Sequence, residues 1–184
     1  MGLPQRKLFT IDEYLLLEEN SVTKNELIHG EINSMAGAKK NHVKITGNIS
    51  YNLIHHLLNS DCDVYATDMK LKAGLDCYYP DVFITCEPED NELVLEKAIL
   101  IVEVLSDSTE SFDKSVKLES YFQIPTLKEY LLVSQNKVEV WIYRRLETKW
   151  ELEIFNNYED EIHLVSINLT IKIKTFYAKV FDHD

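Results

Sequence analysis

Between Ala98 and Leu105 the chain reads AILIVEVL, apolar at every position but one. An unbroken apolar run of this kind is how a central strand buried on both faces is written. Glu103 interrupts it. An ionised carboxylate in such a strand has to be paired with a cation, bound to a metal, or placed near the strand end in solvent. Three readings follow for Glu103: a buried ion pair with Lys or Arg, a solvated strand end, or a metal ligand.

A chain of 184 residues with 45% hydrophobic content can bury one substantial core, and the expectation is a single domain over 1–184. Thr10 and Glu13 form a capping box, with Phe9 and Tyr14 as a hydrophobic staple, so a short helix runs from Thr10 to about Asn20. ELIHGEINSMA reads as a hairpin or bent strand turning at Gly30. From His42 to Leu58, Ile45, Ile49, Leu53 and Leu57 recur at helical spacing. DVYATDMKLKA, YYPDVFITC and KAILIVEVLS then read as a meander of three strands. SDSTES supplies N-caps for the helix FDKSVKLESYFQI, which Pro125 ends. LKEYLLVS and KVEVWIYRR form a pair, followed by WELEIF, EIHLVSI, LTIKIK and a helical TFYAKVF. This order fits an α+β domain, a mixed sheet flanked by helices.

Some function classes fall away. No run approaches the roughly 18 apolar residues of a membrane span, and MGLPQRKLFTIDEY lacks a signal-peptide core, so a cytoplasmic protein with no membrane partner is expected. Cys62, Cys77 and Cys86 form no C-x-x-C pair and are read as reduced, mostly buried thiols. The six histidines lack metal-ligand spacing, which argues against structural zinc. A net charge of −12 opposes simple coating of nucleic acid, although a bound cation offsets the local charge of a carboxylate site.

Asp81 follows Pro80 at the head of VFIT, where a charged group belongs at a strand end facing a site, although Pro-Asp also marks turns. YYPDVFITC followed one strand later by VEV resembles the PD-(D/E)xK nuclease superfamily. The continuation VEVLSDSTESFDKSVKLESYFQIPTLKEYLLVSQNKVEVWIYRR, with ELIHGEI, the helix opened by His42 and ATDMKL, resembles its Uma-type family of bacterial restriction endonucleases. The likeness runs from the first helix to the end of the chain. It implies a restriction endonuclease-like core with extra C-terminal strands and a metal-dependent endonuclease acting on DNA, with RNA left open. A homodimer is expected by the same analogy. Asp81, Glu103 and the carbonyl of Val104 would hold Mg²⁺ or Mn²⁺.

The superfamily's lysine stands two residues after the second acid, and here that position is Leu105. The resemblance moves the role to Lys117, on a helix whose apolar face is Phe112, Val116, Leu118 and Phe122 and whose flank carries Asp113, Lys117 and Tyr121. The plainer reading is an Asp113–Lys117 surface pair. No acid lies in 42–58, so a fourth acid falls to Glu26, Glu31 or Asp68, each also readable as a solvated turn or strand residue. His42 is read as a helix-start residue. Arg144 and Arg145 with Trp141 and Tyr143 combine cations and rings suited to nucleic acid, or simply end a strand. The alternative function is a catalytically weak or inactive nuclease-fold module for binding or regulation.

Overall fold

The computed structural model describes residues 7–107 and 109–181. Helix α1 (Ile11–Glu18) starts at the expected capping box: the Thr10 hydroxyl accepts from the Glu13 N–H, and Glu13 reaches back to the Thr10 N–H. Strands β1 (Asn25–Ile28) and β2 (Glu31–Ser34) form the predicted hairpin. His29 and Gly30 both hold positive φ, 50° and 79°, as a two-residue hairpin turn of matching twist requires. Helix α2 (Lys40–Leu57) lies within two residues of the predicted bounds.

The segment DVYATDMKLKA does not form one strand. It divides into β3 (Asp63–Ala66) and β4 (Lys70–Ala73), which belong to different sheets. Between them Thr67 and Asp68 take φ values of 54° and 64°, a conformation unfavourable for a β-branched residue, so apolar alternation continued across a break. Strands β5 (Asp76–Tyr78), β6 (Val82–Thr85), β7 (Val94–Leu95) and β8 (Leu100–Leu105) follow. β3, β6 and β8 keep the expected antiparallel order, while β4 and β5 form a hairpin in the other sheet.

After β8 a helix over 110–122, α3, crosses to β9 (Glu129–Ser134), which pairs with β8 in parallel. β10 (Val140–Arg145) and β11 (Trp150–Phe155) complete a six-stranded sheet of order β11-β10-β9-β8-β6-β3. The other large sheet has five strands, β2-β1-β5-β4-β7. The extra C-terminal strands β12 (Glu161–Leu164) and β13 (Leu169–Lys172) pair with each other. TFYAKVF is turns rather than a helix; only Ile173–Thr175 forms a single 3₁₀ turn.

Alternation along β8 sends Leu100, Val102 and Val104 into one core with Ile45, Ile49 and Leu53 of α2. Ile101 and Leu105 enter a second core with Tyr78, Tyr121 and Tyr130, between the six-stranded sheet, α3 and the β4–β5 hairpin. Glu103 shares this second face. The reading of the cysteines needs correction: Cys62 and Cys86 are joined as a disulfide, and Cys77 is a buried free thiol. Register brings this about, because Asp63 pairs with Thr85 and the next residues outward are the two cysteines.

Candidate active site

Val82 pairs with Val102, so one further step of the antiparallel register sets Asp81 across from Glu103. Asp81 stands just before β6 because Pro80, with no N–H, cannot extend the ladder. The Asp81 N–H faces Glu103 Oε2 at 3.4 Å, and its Oδ2 accepts from the Val104 N–H at 2.7 Å. Its other oxygen, Oδ1, lies 2.8 Å from His42 Nε2. The strained Thr67 donates its N–H to the Asp81 carbonyl at 3.1 Å. Asp81 is therefore tied on several sides.

Glu103 is 4% exposed, and its Oε1 receives hydrogen bonds from Lys117 Nζ at 3.0 Å and from the Tyr121 hydroxyl at 2.8 Å. Lys117 Nζ also lies 3.0 Å from Glu26 Oε1 and 3.7 Å from Asp113 Oδ1. The plain reading of Asp113 and Lys117 as a surface pair does not hold, since both are buried. The expected orientation of α3 is also reversed. Its polar flank, with Asp113, Lys117, Ser120 and Tyr121, is the buried one, while Phe112, Leu118 and Phe122 are only partly covered. A π-helical turn over Asp113–Lys117 accompanies this arrangement, and such widened turns recur at functional positions.

Of the three acids left open, Glu26 joins the cluster. It is buried on β1, and its Oε1 accepts from the Tyr79 N–H. Asp68 is exposed and pairs with Lys24. Glu31 lies opposite Ile28 beside the hairpin turn. His42 belongs to the site through Asp81. The two arginines are both engaged by groups of the protein itself. Arg144 is held by Glu129 and Glu153. Arg145 donates to the carbonyls of Phe122, Ile124 and Leu127. Trp141 lies under the Lys114 ammonium, and Tyr143 packs on Phe122 and Tyr130.

The electrostatics follow from burial. Desolvation drives the Glu103 carboxyl well above the usual carboxylate range against the pull of Lys117, and the charges of Asp81, Asp113 and Glu26 push the same way. Burial alone would lower Lys117, but Glu103, Glu26 and Asp113 outweigh it and hold the ammonium well above its ordinary value. For His42, burial also works downward and is overcome by its bond to Asp81, so its pKa is raised. Four carboxylates, Asp81, Glu103, Glu26 and Asp113, thus face one ammonium and one imidazole. Were all four carboxyls ionised, the cluster would keep a negative excess even with His42 protonated, and burial resists that charge by raising the Glu103 and Asp113 carboxyls.

That excess tests whether a divalent cation fits. Among the described residues no three His, Cys, Asp or Glu side chains are arranged to hold a metal. A site here would consist of two carboxylates, a backbone carbonyl and water, the sparse oxygen set that Mg²⁺ accepts. The donor chemistry fits, and a double positive charge would cancel the excess. Buried Asp113 Oδ1, which lacks a hydrogen-bond partner, shows that the protein's own donors leave this negative cluster under-satisfied.

The fold has a solved counterpart. A crystal structure from Anabaena variabilis, titled a "putative nuclease belonging to DUF820", superposes with a TM-score of 0.78 at 17% identity, covering 94% of this chain and 99% of that one. The architecture is thereby of the restriction endonuclease-like class. The model of the Uma2 family, described as "Putative restriction endonuclease", matches residues 11–174. Two Synechocystis proteins are also similar: Uncharacterized protein slr1290, 35% identical over 170 residues with 90% of each chain covered, and Uncharacterized protein sll1609, 35% identical over 159 residues with 83% of this chain and 90% of that one covered. This chain belongs to the Uma2 family.

Proposed function

We propose that the protein is a metal-dependent endonuclease that hydrolyses phosphodiester bonds of DNA. The observation that carries this reading is the convergence of Asp81 at the head of β6, half-buried, with Glu103 of β8 and Lys117 of α3, both buried, into one acid-rich cluster. Asp81, Glu103 and the carbonyl of Val104 would hold Mg²⁺ or Mn²⁺. When bound, such an ion lowers the pKa of a coordinated water and offsets charge on phosphoryl oxygens.

The chain's own residues do the positioning. His42 and the Val104 N–H fix the two oxygens of Asp81, which sets the plane of its carboxylate. Tyr121 and Lys117 both hold Oε1 of Glu103, leaving Oε2 turned toward Asp81. The Lys117 ammonium is the group that can donate to a phosphoryl oxygen or to the attacking water. Glu26 and Asp113 keep that ammonium charged at the site.

A second reading, a nuclease-fold module that binds without turnover, has one observation in its favour: both Asp81 oxygens and the Lys117 ammonium already have protein partners. Calorimetric titration with Mn²⁺ and Mg²⁺, comparing wild type with Asp81→Ala, tests the first reading. We expect binding that Asp81→Ala abolishes; no binding to the wild type overturns it. Incubation with duplex DNA, single-stranded DNA and RNA then separates the two readings. Cleavage lost in Glu103→Gln supports the enzyme, and metal binding without cleavage of any substrate supports the module.

A further inference from the structure

Helix α2 is buried along one face only. Ile45, Ile49, Leu53 and Leu57 are in the core, while Val43, Tyr51, Ile54 and Leu58 are exposed by 59%, 69%, 48% and 72%. At 100° per residue these four lie with Gly47 on a single outward stripe. A Cβ added at Gly47 would meet nothing within 4 Å, so the middle of the stripe is open. Among the described residues nothing covers it, and a contiguous exposed apolar stripe is a candidate contact surface.

The charges at its ends indicate the occupant. Lys40 begins the helix, and the first turn carries no acid; Asp61 and Asp63 lie just beyond the last turn, which carries no Lys or Arg. The first turn opposes the helix dipole, which favours acids at the start; the last turn carries His55 and His56. Lys40 and Asp61 are exposed, and neither has an ion-pair partner among the described residues. Run antiparallel against itself, the stripe matches. One register sets Lys40 beside Asp61, Val43 beside Leu58 and Gly47 beside Ile54, with Tyr51 next to the centre. The small residue then receives the large one, and each charged end meets its opposite. Such self-complementarity is the condition for a two-fold interface.

We propose that this face of α2 is the interface of a homodimer, two α2 helices packing antiparallel about an axis near Tyr51. His42 lies on the opposite side of the helix, bound to Asp81, so both candidate sites remain clear of the contact. The proposal is independent of whether those sites turn over.

Sedimentation equilibrium on the full chain from about 1 to about 100 µM tests it. The wild type is expected to dimerise, with a melting temperature that rises with protein concentration, and Ile54→Asp to be monomeric with an unchanged circular dichroism spectrum and a melting temperature independent of concentration, since the position is half exposed. Lys40→Asp or Asp61→Lys alone should weaken dimerisation roughly tenfold, because two-fold symmetry reverses both copies of each pair. The double variant should recover it. A wild type monomeric throughout, or a dimer unaffected by Ile54→Asp, overturns the proposal. So does a monomeric wild type that cosediments with anionic phospholipid vesicles and loses that binding in Ile54→Asp, which would make the stripe a lipid-facing surface.

Discussion

His42 Nε2 and Asp81 Oδ1 lie 2.8 Å apart, tying the first turn of α2 to the residue just before β6. The bond fixes a carboxylate that would otherwise retain only the Val104 N–H on its other oxygen. His42→Ala should therefore lower stability by about 1 kcal/mol, the usual net worth of a hydrogen bond whose acceptor keeps some access to water. It should also weaken Mn²⁺ binding roughly 10- to 100-fold, as loss of a ligand's supporting partner does. Urea unfolding and calorimetry check both. An unchanged affinity would detach His42 from the site.

Lys117 is the single ammonium that three buried acids share. Lys117→Met should cost about 3–5 kcal/mol in urea unfolding, because it leaves those carboxylates without a cation. Tyr121→Phe removes one hydrogen bond to Glu103 and leaves the ring packing in place, so about 1 kcal/mol is expected. A Lys117→Met protein as stable as wild type would show that the acids take up protons or a cation instead.

Arg145 is a structural cap. Its guanidinium satisfies carbonyls left open where α3 ends and runs into β9, and it stacks on Trp150. Arg145→Ala should destabilise the protein by about 2–4 kcal/mol, and Arg145→Lys should recover only part, since an ammonium lacks the planar fork that reaches several carbonyls. Electrophoretic mobility shift at matched folded fraction should show no change in DNA retention for either variant.

Burial pushes the Cys77 thiol up to about 12. The folded value lies above the ordinary thiol value near 8.5, so this group's contribution to stability is intact below that pH and is lost as pH rises toward 12. Iodoacetamide at about pH 8.5 should label no cysteine in the folded protein. It should label one in urea, and all three in urea with reductant. Three labels in urea without reductant would mean that Cys62 and Cys86 are not joined.

What the sequence revealed of this site depended on how unusual each residue was locally. Glu103 stood out because seven apolar neighbours made its charge anomalous, and the structure places it on the central strand. The α1 capping box and the α2 stripe were legible because each is fixed by residues within one or two turns. His42 gave no comparable signal: a polar residue in a first helical turn is ordinary, and only its long-range bond to Asp81 distinguishes it. Glu26 was one of three equal candidates until sheet pairing buried it. The division at Thr67 and Asp68 was hidden because no Gly or Pro marks the break. The inward polar flank of α3 was misjudged because burying it depends on partners from β1 and β8, which no local pattern displays.

The position of Lys117 has a consequence for spacing. In the usual arrangement, acid and lysine share one strand, so their spacing is as stiff as the sheet. Here the ammonium is carried on a widened helical turn, held by side-chain contacts alone. The distance between the ammonium and Glu103 is therefore set by how α3 packs on the sheet rather than by strand pairing.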